Sequence, residues 1–333
     1  MHINQTKGRV FYMSATVIVI LMFLLGLILI IKGGDFFVDA ASWAAEVSGI
    51  PKFLIGATIV SLATTLPELL VSLMASASGS TGIAVGNAVG SVTANIGLIM
   101  GISVVCLPIM IDRRDQTFKY IMMAGGIVLL YAFSVRGSLS LLGAVILLMM
   151  FLAFMAESVV SARRHMHADN AQERPAKDRR TVLINAVKFI AGVAGIVIGA
   201  NLMVEYGTAL ARVLGVPESI IGATLVAIGT SLPELVTTLT ALVKRQASLS
   251  IGNIIGANII DLTLILPLCS VLSGKALPLL RQNLILDMPF CLGLVLLAIL
   301  PPMFTGKFHK VQGVAMLSVY GVYVAILCTG VIA

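Results

Sequence analysis

GATIVSLATTLPELLVSLMA, residues 56–75, returns 166 positions later as GATLVAIGTSLPELVTTLTA, residues 222–241, with 11 of the 20 positions identical. The same offset holds without a gap on both sides. Upstream it pairs Gly33 with Gly199, Gly49 with Gly215 and Pro51 with Pro217; downstream it pairs Gly86-Asn87 with Gly252-Asn253 and Gly90 with Gly256. Each copy sets a proline and a glutamate, Pro67-Glu68 and Pro233-Glu234, inside a long apolar segment. A carboxylate at bilayer depth is costly, and its presence there argues for function. Two at equivalent places in two halves point to one shared site.

Composition sets the surroundings. Of 333 residues, 59% are hydrophobic and only 11% charged, against about a quarter charged in a soluble domain. The chain therefore reads as an integral membrane protein. Its net charge of +7 does not indicate nucleic acid, because no sizeable soluble part exists to bind it. Lys and Arg in short connections set orientation instead. Cys106, Cys269, Cys291 and Cys328 are scattered through apolar runs without C-x-x-C spacing, which fits plain thiols better than zinc ligands or disulfides. The apolar run from Val10 to Ile31 exceeds a signal-peptide core and is expected to be a retained first span.

With about 20 apolar residues needed per crossing, ten spans are expected, at 10–31, 53–78, 83–107, 118–135, 139–160, 182–204, 218–243, 248–272, 284–302 and 311–331. The long polar connection after residue 160 divides the chain. Residues 1–160 form a first five-helix repeat, 161–181 a cytoplasmic linker and 182–333 a second repeat. Five is odd, so the second repeat enters from the opposite side. The expected fold is all-α, with ten transmembrane helices as two inverted five-helix repeats. With the linker cytoplasmic, 15 Lys and Arg fall on that side and six on the other. This favours both termini outside a plasma (inner) membrane. Inverted repeats with interrupted helices mark secondary transporters, whose site lies near the midplane between repeats.

The chemistry follows from span two. Glu68 lies about 4 Å from the centre of its span at 1.5 Å rise per residue. Pro67 lacks an N–H, so the carbonyl of Ala63 loses its helical partner, and freed carbonyls at that depth must line a cavity. Thr64 sits one turn before Glu68 on the same face. Thr230, Ser231, Pro233 and Glu234 rebuild the arrangement in span seven. GNAVGSVTAN (86–95) and GNIIGANIID (252–261) add Asn95 and Asp261 at equivalent positions, each 27 residues after its glutamate. Ser91 adds a hydroxyl, with Ala257 as its counterpart. All of these are hard oxygen donors of the kind Ca²⁺ takes in sets of six to eight, and the lack of nearby His or Cys disfavours zinc, copper and iron. A lone membrane proline is ordinarily a tolerated kink, and GNxxG ordinarily a packing motif; duplication of the whole set raises both above that reading. Glu157 and Lys188 lie near span ends and are expected to snorkel, and the equivalent pair Asp39 and Glu205 also sits toward span ends.

The paired T-[TS]-L-P-E-L segments, each followed by G-N-x-x-G-[SA], resemble the alpha repeats of the sodium/calcium exchangers, within the cation/calcium exchanger superfamily. The likeness is to compact prokaryotic ten-span members, with motifs over 56–101 and 222–266. The resemblance implies electrogenic Na⁺/Ca²⁺ antiport by alternating access, with no cofactor and no enzymatic activity. By position it implies an ion cluster lined by Thr64, Thr65, Glu68, Ser91 and Asn95 from one repeat, and by Thr230, Ser231, Glu234 and Asp261 from the other. Backbone carbonyls of Ser61 and Ala227 would join them. Four departures stand out. Ala63 and Thr65 replace the usual Gly and Ser, Val92 replaces a frequent Asn, and Ala257 replaces the usual Ser. Asp261 resembles the potassium-dependent branch, which leaves K⁺ dependence open. The expected partners are small inorganic cations and the lipid bilayer; oligomeric state is not readable. An H⁺-coupled Ca²⁺ or Na⁺ antiporter is the nearest alternative. An intramembrane hydrolase lacks a catalytic His or metal motif, and a passive channel fits inverted repeats less well.

Overall fold

The computed structural model describes residues 2–106, 113–168, 178–213, 231–273 and 275–329. The chain folds into α1 (His2–Ser48), α2 (Lys52–Thr64), α3 (Leu66–Ala77), α4 (Thr81–Cys106), α5 (Arg113–Ser134), α6 (Leu141–Ala168), α7 (Arg179–Val213), α8 (Leu232–Val243), α9 (Ala247–Leu272), α10 (Asn283–Thr305) and α11 (Lys310–Thr329). Eight of these are long and apolar enough to cross a bilayer alone, and α2 and α3 form a ninth span bent by 45°. The twelve residues of α8 stand where α3 stands in the first repeat, and residues 214–230, on which the first half of the predicted seventh span falls, lie outside the described residues.

Burial runs inside out relative to a soluble protein. Leu21, Ile28, Met149, Leu183 and Ile190 are exposed on the outer faces of α1, α6 and α7, as lipid contact demands. The centre belongs to α4 and α9, of whose apolar windows 72% and 83% is buried, against 22% for α1 and 17% for α7. The repeats that carry G-N-x-x-G are thus the core, and α1 and α7 lie at the rim.

Both rim helices outrun their predicted spans. The sequence suggested a first span ending at Ile31 and a connection holding Lys32. Instead α1 continues through Gly33-Gly34 to Ser48. These glycines are points of close approach between helices. A Cβ on Gly33 would meet the Gly192 carbonyl at 2.9 Å, and one on Gly26 would meet the Gly199 carbonyl at 2.9 Å. Gly26 is equivalent to Gly192, and Gly33 to Gly199, so these two contacts are one contact seen twice through the internal pseudo-two-fold. Small residues let membrane helices touch backbone to backbone. Gly252 and Gly256 do the same for α9 against α2, where added Cβ atoms would collide with the carbonyls of Phe53 and Ala57.

Helix also enters the predicted 161–181 linker from both sides, through Ala168 and from Arg179. Asp178 starts α7 by accepting the Thr181 N–H at 3.1 Å, and hydrogen bonding from Thr181, through its hydroxyl first and then its N–H, holds its carboxyl below the usual range. A short ribbon pairs β1 (Ser138–Leu139) with β2 (Leu277–Pro278). It joins the α5–α6 and α9–α10 connections, which the predicted topology places on the same face. Lys244 at the opposite corner donates to Asp39 Oδ1 at 2.7 Å and to the Asp35 carbonyl at 3.0 Å. That fastens α1 to the α8–α9 turn, at the mouth of a cleft of about 620 Å³ that Lys188 also lines.

Candidate functional site

The bend between α2 and α3 is a true helix break at Thr65, whose φ, ψ of −84°, 2° leave the helical range. Ser231, its repeat equivalent, has −88°, 7° ahead of α8. Each proline therefore sits in the first turn of a new helix, where its missing N–H removes nothing the helix would use. Each glutamate falls in the same first turn. Orphan N–H groups and the positive end of the helix dipole gather there, favouring an anion. The Pro-Glu pair is thus a device for starting a helix at bilayer depth with a carboxylate on its positive end.

Glu68 and Glu234 are buried, 1% and 0% exposed, and so is Asp261, 0%. Glu68 faces both other acids at a range where their charges repel, and Asp261 senses Glu234. None of the six carboxyl oxygens has a hydrogen-bond partner among the described residues. Thr64 and Glu68 lie nearest the Glu234 carboxyl without closing a bond. Burying charge without donors or counter-ions is strongly unfavourable, so this cluster calls for positive charge.

Among the described residues, side-chain hydrogen bonds cross between repeats around the acids. Thr64 Oγ1 donates to Asn253 Oδ1 at 3.2 Å, Ser231 Oγ to Ser91 Oγ at 3.3 Å, and Asn95 Nδ2 to Asn258 Oδ1 at 3.1 Å. Within the first repeat, Asn87 Nδ2 reaches the Glu68 carbonyl at 3.2 Å and Ser72 Oγ at 3.0 Å, tying α4 to α3. The structure so brings together Thr64, Thr65, Glu68, Ser91, Asn95, Ser231, Glu234 and Asp261. Thr230 and Ala227 lie outside the described residues. The Ser61 carbonyl is already engaged. It accepts the Thr65 N–H at 2.9 Å and the hydroxyls of Thr65 at 2.6 Å and Thr64 at 3.3 Å. No three acidic, His or Cys side chains among the described residues converge on one metal position. A cation here would draw much of its shell from hydroxyls, amides and carbonyls.

π-helical turns begin at Asn95 (Asn95–Met100) and at Asp261 (Asp261–Ile265), again repeat-equivalent. The extra residue in such a turn widens the helix, a feature frequent at functional sites. The sequence offered no signal for it.

The matched pair of breaks, the matched pair of π turns and the shared acid cluster invite comparison with known proteins. The family profile described as sodium/calcium exchanger protein matches residues 18–160 and again 184–329. This chain belongs to the sodium/calcium exchanger family. The two matched stretches fall on the two repeats. A sodium/calcium exchanger of Methanosarcina acetivorans, MaX1, is 32% identical over 92% of this chain and 97% of its own length. An uncharacterized membrane protein of Methanocaldococcus jannaschii is 33% identical over 72% of this chain and 77% of its own. Among solved structures, the sodium-calcium exchanger NCX_Mj soaked in Na⁺ superposes with a TM-score of 0.79 at 31% identity, covering 93% of this chain and 99% of that one. The chain is an integral membrane protein with an exchanger fold, and membership of the family supports cation and Ca²⁺ exchange.

Some polar residues of this exchanger were not singled out by its sequence. Asn253 and Asn258, both 0% exposed, bond across the repeats. They belong to a motif that reads as glycine packing. Lys119, at the start of the expected span 118–135, is fully buried and paired with Glu157 at 2.7 Å. Glu157 therefore meets a partner in α5 where snorkelling was expected. Asp287 lies buried in α10, held by Asn283 at 2.8 Å and by the Tyr323 hydroxyl of α11 at 3.0 Å. It has no acidic counterpart in the first repeat, and so duplication could not flag it.

Proposed function

We propose that this protein is a Na⁺/Ca²⁺ antiporter working by alternating access, with its ions held between the repeats by the three carboxylates. The observation that carries this is the cluster of Glu68, Glu234 and Asp261: buried, mutually repelling and without a single donor among the described residues. Thr64, Thr65, Ser91, Asn95 and Ser231 supply neutral oxygens around it, and Thr230 and Ala227 are assigned on motif position alone. The Ser61 carbonyl joins only if Thr64 or Thr65 releases it. Ca²⁺ and Na⁺ are both hard ions that accept the same oxygens. Two glutamates balance one Ca²⁺, and three carboxylates balance several Na⁺. The match to MaX1 along nearly the whole chain supports the Na⁺/Ca²⁺ pairing.

The repeat boundary at 161–181 separates two units of opposite orientation, 1–160 and 182–333. The α1–α7 pair, little buried and joined through glycine contacts, slides against the α4–α9 core to open the site to either side in turn. Both termini face outward and the linker is cytoplasmic, in the plasma (inner) membrane. Ala257 removes one hydroxyl from the shell, so water completes it there. Asp261 keeps K⁺ as a candidate third ion.

The test is ⁴⁵Ca²⁺ uptake into proteoliposomes loaded with Na⁺, with and without K⁺ or a pH gradient. Uptake that needs internal Na⁺ and fails in Glu68→Gln and Glu234→Gln supports the proposal. Uptake driven by a pH gradient without Na⁺ moves the assignment to H⁺ coupling, and uptake unchanged in both variants overturns the site.

A further inference from the structure

Asn95 is the one ring member whose chemistry depends on which way round it sits. Its amide carries a hard oxygen that a cation accepts and an NH₂ that a cation does not. Beside bare carboxylates an unrestrained amide turns its NH₂ toward them, donating hydrogen bonds and presenting the wrong pole to an incoming ion. Here the NH₂ is engaged elsewhere. Asn95 Nδ2 donates to Asn258 Oδ1 at 3.1 Å, and Asn95 Oδ1, buried, has no partner among the described residues.

What fixes Asn258 is Met123 of α5. Asn258 Nδ2 lies 3.6 Å from Met123 Sδ. A thioether has no hydrogen to give and can only accept, weakly. The nitrogen of Asn258 must therefore face Met123, its oxygen must face Asn95, and the nitrogen of Asn95 must face Asn258. Nitrogen and oxygen of an amide are set by such networks, and this one begins at an atom without ambiguity.

The pseudo-two-fold adds an independent check. It maps Asn95 onto Asp261 and Asn258 onto Val92. Both oxygens of a carboxylate are ligands, so Asp261 needs no orienting partner, and an apolar valine stands where one would be. The amide at 258 occurs only in the repeat that faces an amide at 95. Asn258 also lies three residues before Asp261, one turn of α9 away, beside the acid cluster.

We propose that Asn258, anchored by Met123, is a positioning residue that sets the polarity of Asn95 so that its carbonyl oxygen is offered to the cation. The inference rests on the reading of Asn95 as an ion ligand. Its test is the equilibrium Ca²⁺ dissociation constant of purified, Na⁺-free protein for wild type, Asn95→Ala, Asn258→Val, Asn95→Asp and the Asn95→Asp/Asn258→Val double variant. Each variant is first checked for a monodisperse, cooperatively melting state. Asn95→Ala and Asn258→Val each weaken Ca²⁺ about tenfold, whereas Asn258→Val added to Asn95→Asp changes affinity by less than about twofold, because a carboxylate needs no orienting. Equal weakening in both backgrounds means that Asn258 acts without Asn95 and overturns the proposal, as does wild-type affinity in Asn258→Val. Wild-type affinity in Asn95→Ala instead removes the ligand reading beneath it. If Asn258→Val does not fold, Met123→Leu takes its place: a weakening of about threefold that vanishes in the Asn95→Asp background supports the relay, and no weakening overturns it.

Discussion

Glu68, Glu234 and Asp261 place six carboxyl oxygens, without a donor among the described residues, in one buried cluster, and the free energy of that arrangement governs what substitution does. Without a cation the acids repel one another and lack solvation. Glu68→Gln is therefore expected to raise the melting temperature in Na⁺- and Ca²⁺-free detergent, while abolishing the rise that Ca²⁺ gives the wild type. That rise corresponds to about 2.7 kcal/mol at a hundredfold excess over the dissociation constant, and differential scanning fluorimetry reads both effects. A Glu68→Gln protein less stable than wild type in ion-free buffer would count against the cluster being charged. A second prediction concerns Lys119, fully buried against Glu157. Glu157→Ala takes a carboxylate from the buried Lys119 ammonium and lowers the melting temperature, and Lys119→Met/Glu157→Leu recovers most of the loss; an equal loss in the double variant would show that charge is not the cause. The acids were legible in the sequence because each is duplicated at a fixed offset in apolar surroundings. Asn258, Asp287 and the Lys119–Glu157 pair were not, because their partners lie on other helices and no repeat copy marks them.

At the scale of elements, the prolines mattered differently from a kink. Chemistry alone located the missing N–H, but the break falls two residues earlier, at Thr65 and Ser231, because a proline in a first helical turn is well placed and one in a helix interior is not. Span limits were the least legible part. The first span was expected to end at Ile31, whereas α1 continues through Gly33 and Gly34, where neighbouring α7 and α8 supply backbone and side-chain contacts. Glycine thus means contact here, and the prediction is direct. Gly252→Ala sets a methyl against the Phe53 carbonyl and an amide nitrogen of Ala57 at 3.0 Å, so the α2–α9 crossing must open. Folded yield and melting temperature fall sharply, while Gly137→Ala, at φ 87° in an open turn with nothing within 4 Å among the described residues, costs only about 1 kcal/mol of backbone strain. Comparable losses at both sites would mean that the crossing is looser than these contacts imply.

Over the whole molecule, parity and charge combine into a topology with observable consequences. The β1–β2 ribbon joins two connections on one face, and Lys244 ties α1 to a turn at the other. In a background lacking native cysteines, Gly137→Cys is expected to react with an impermeant maleimide added outside intact cells, and Arg245→Cys only after lysis; the reverse pattern would invert the orientation. The duplicated motif made the inverted architecture readable without coordinates, since an odd number of spans per repeat leaves no other arrangement. It could not reveal that the two acid-bearing helices begin rather than bend at the site. The most direct measurement is anomalous difference density from Ca²⁺-soaked crystals. A peak between Glu68 and Glu234, about 2.3–2.6 Å from oxygens of both repeats, is the predicted result; glutamate heads with no peak between them, in protein still able to transport Ca²⁺, would contradict it.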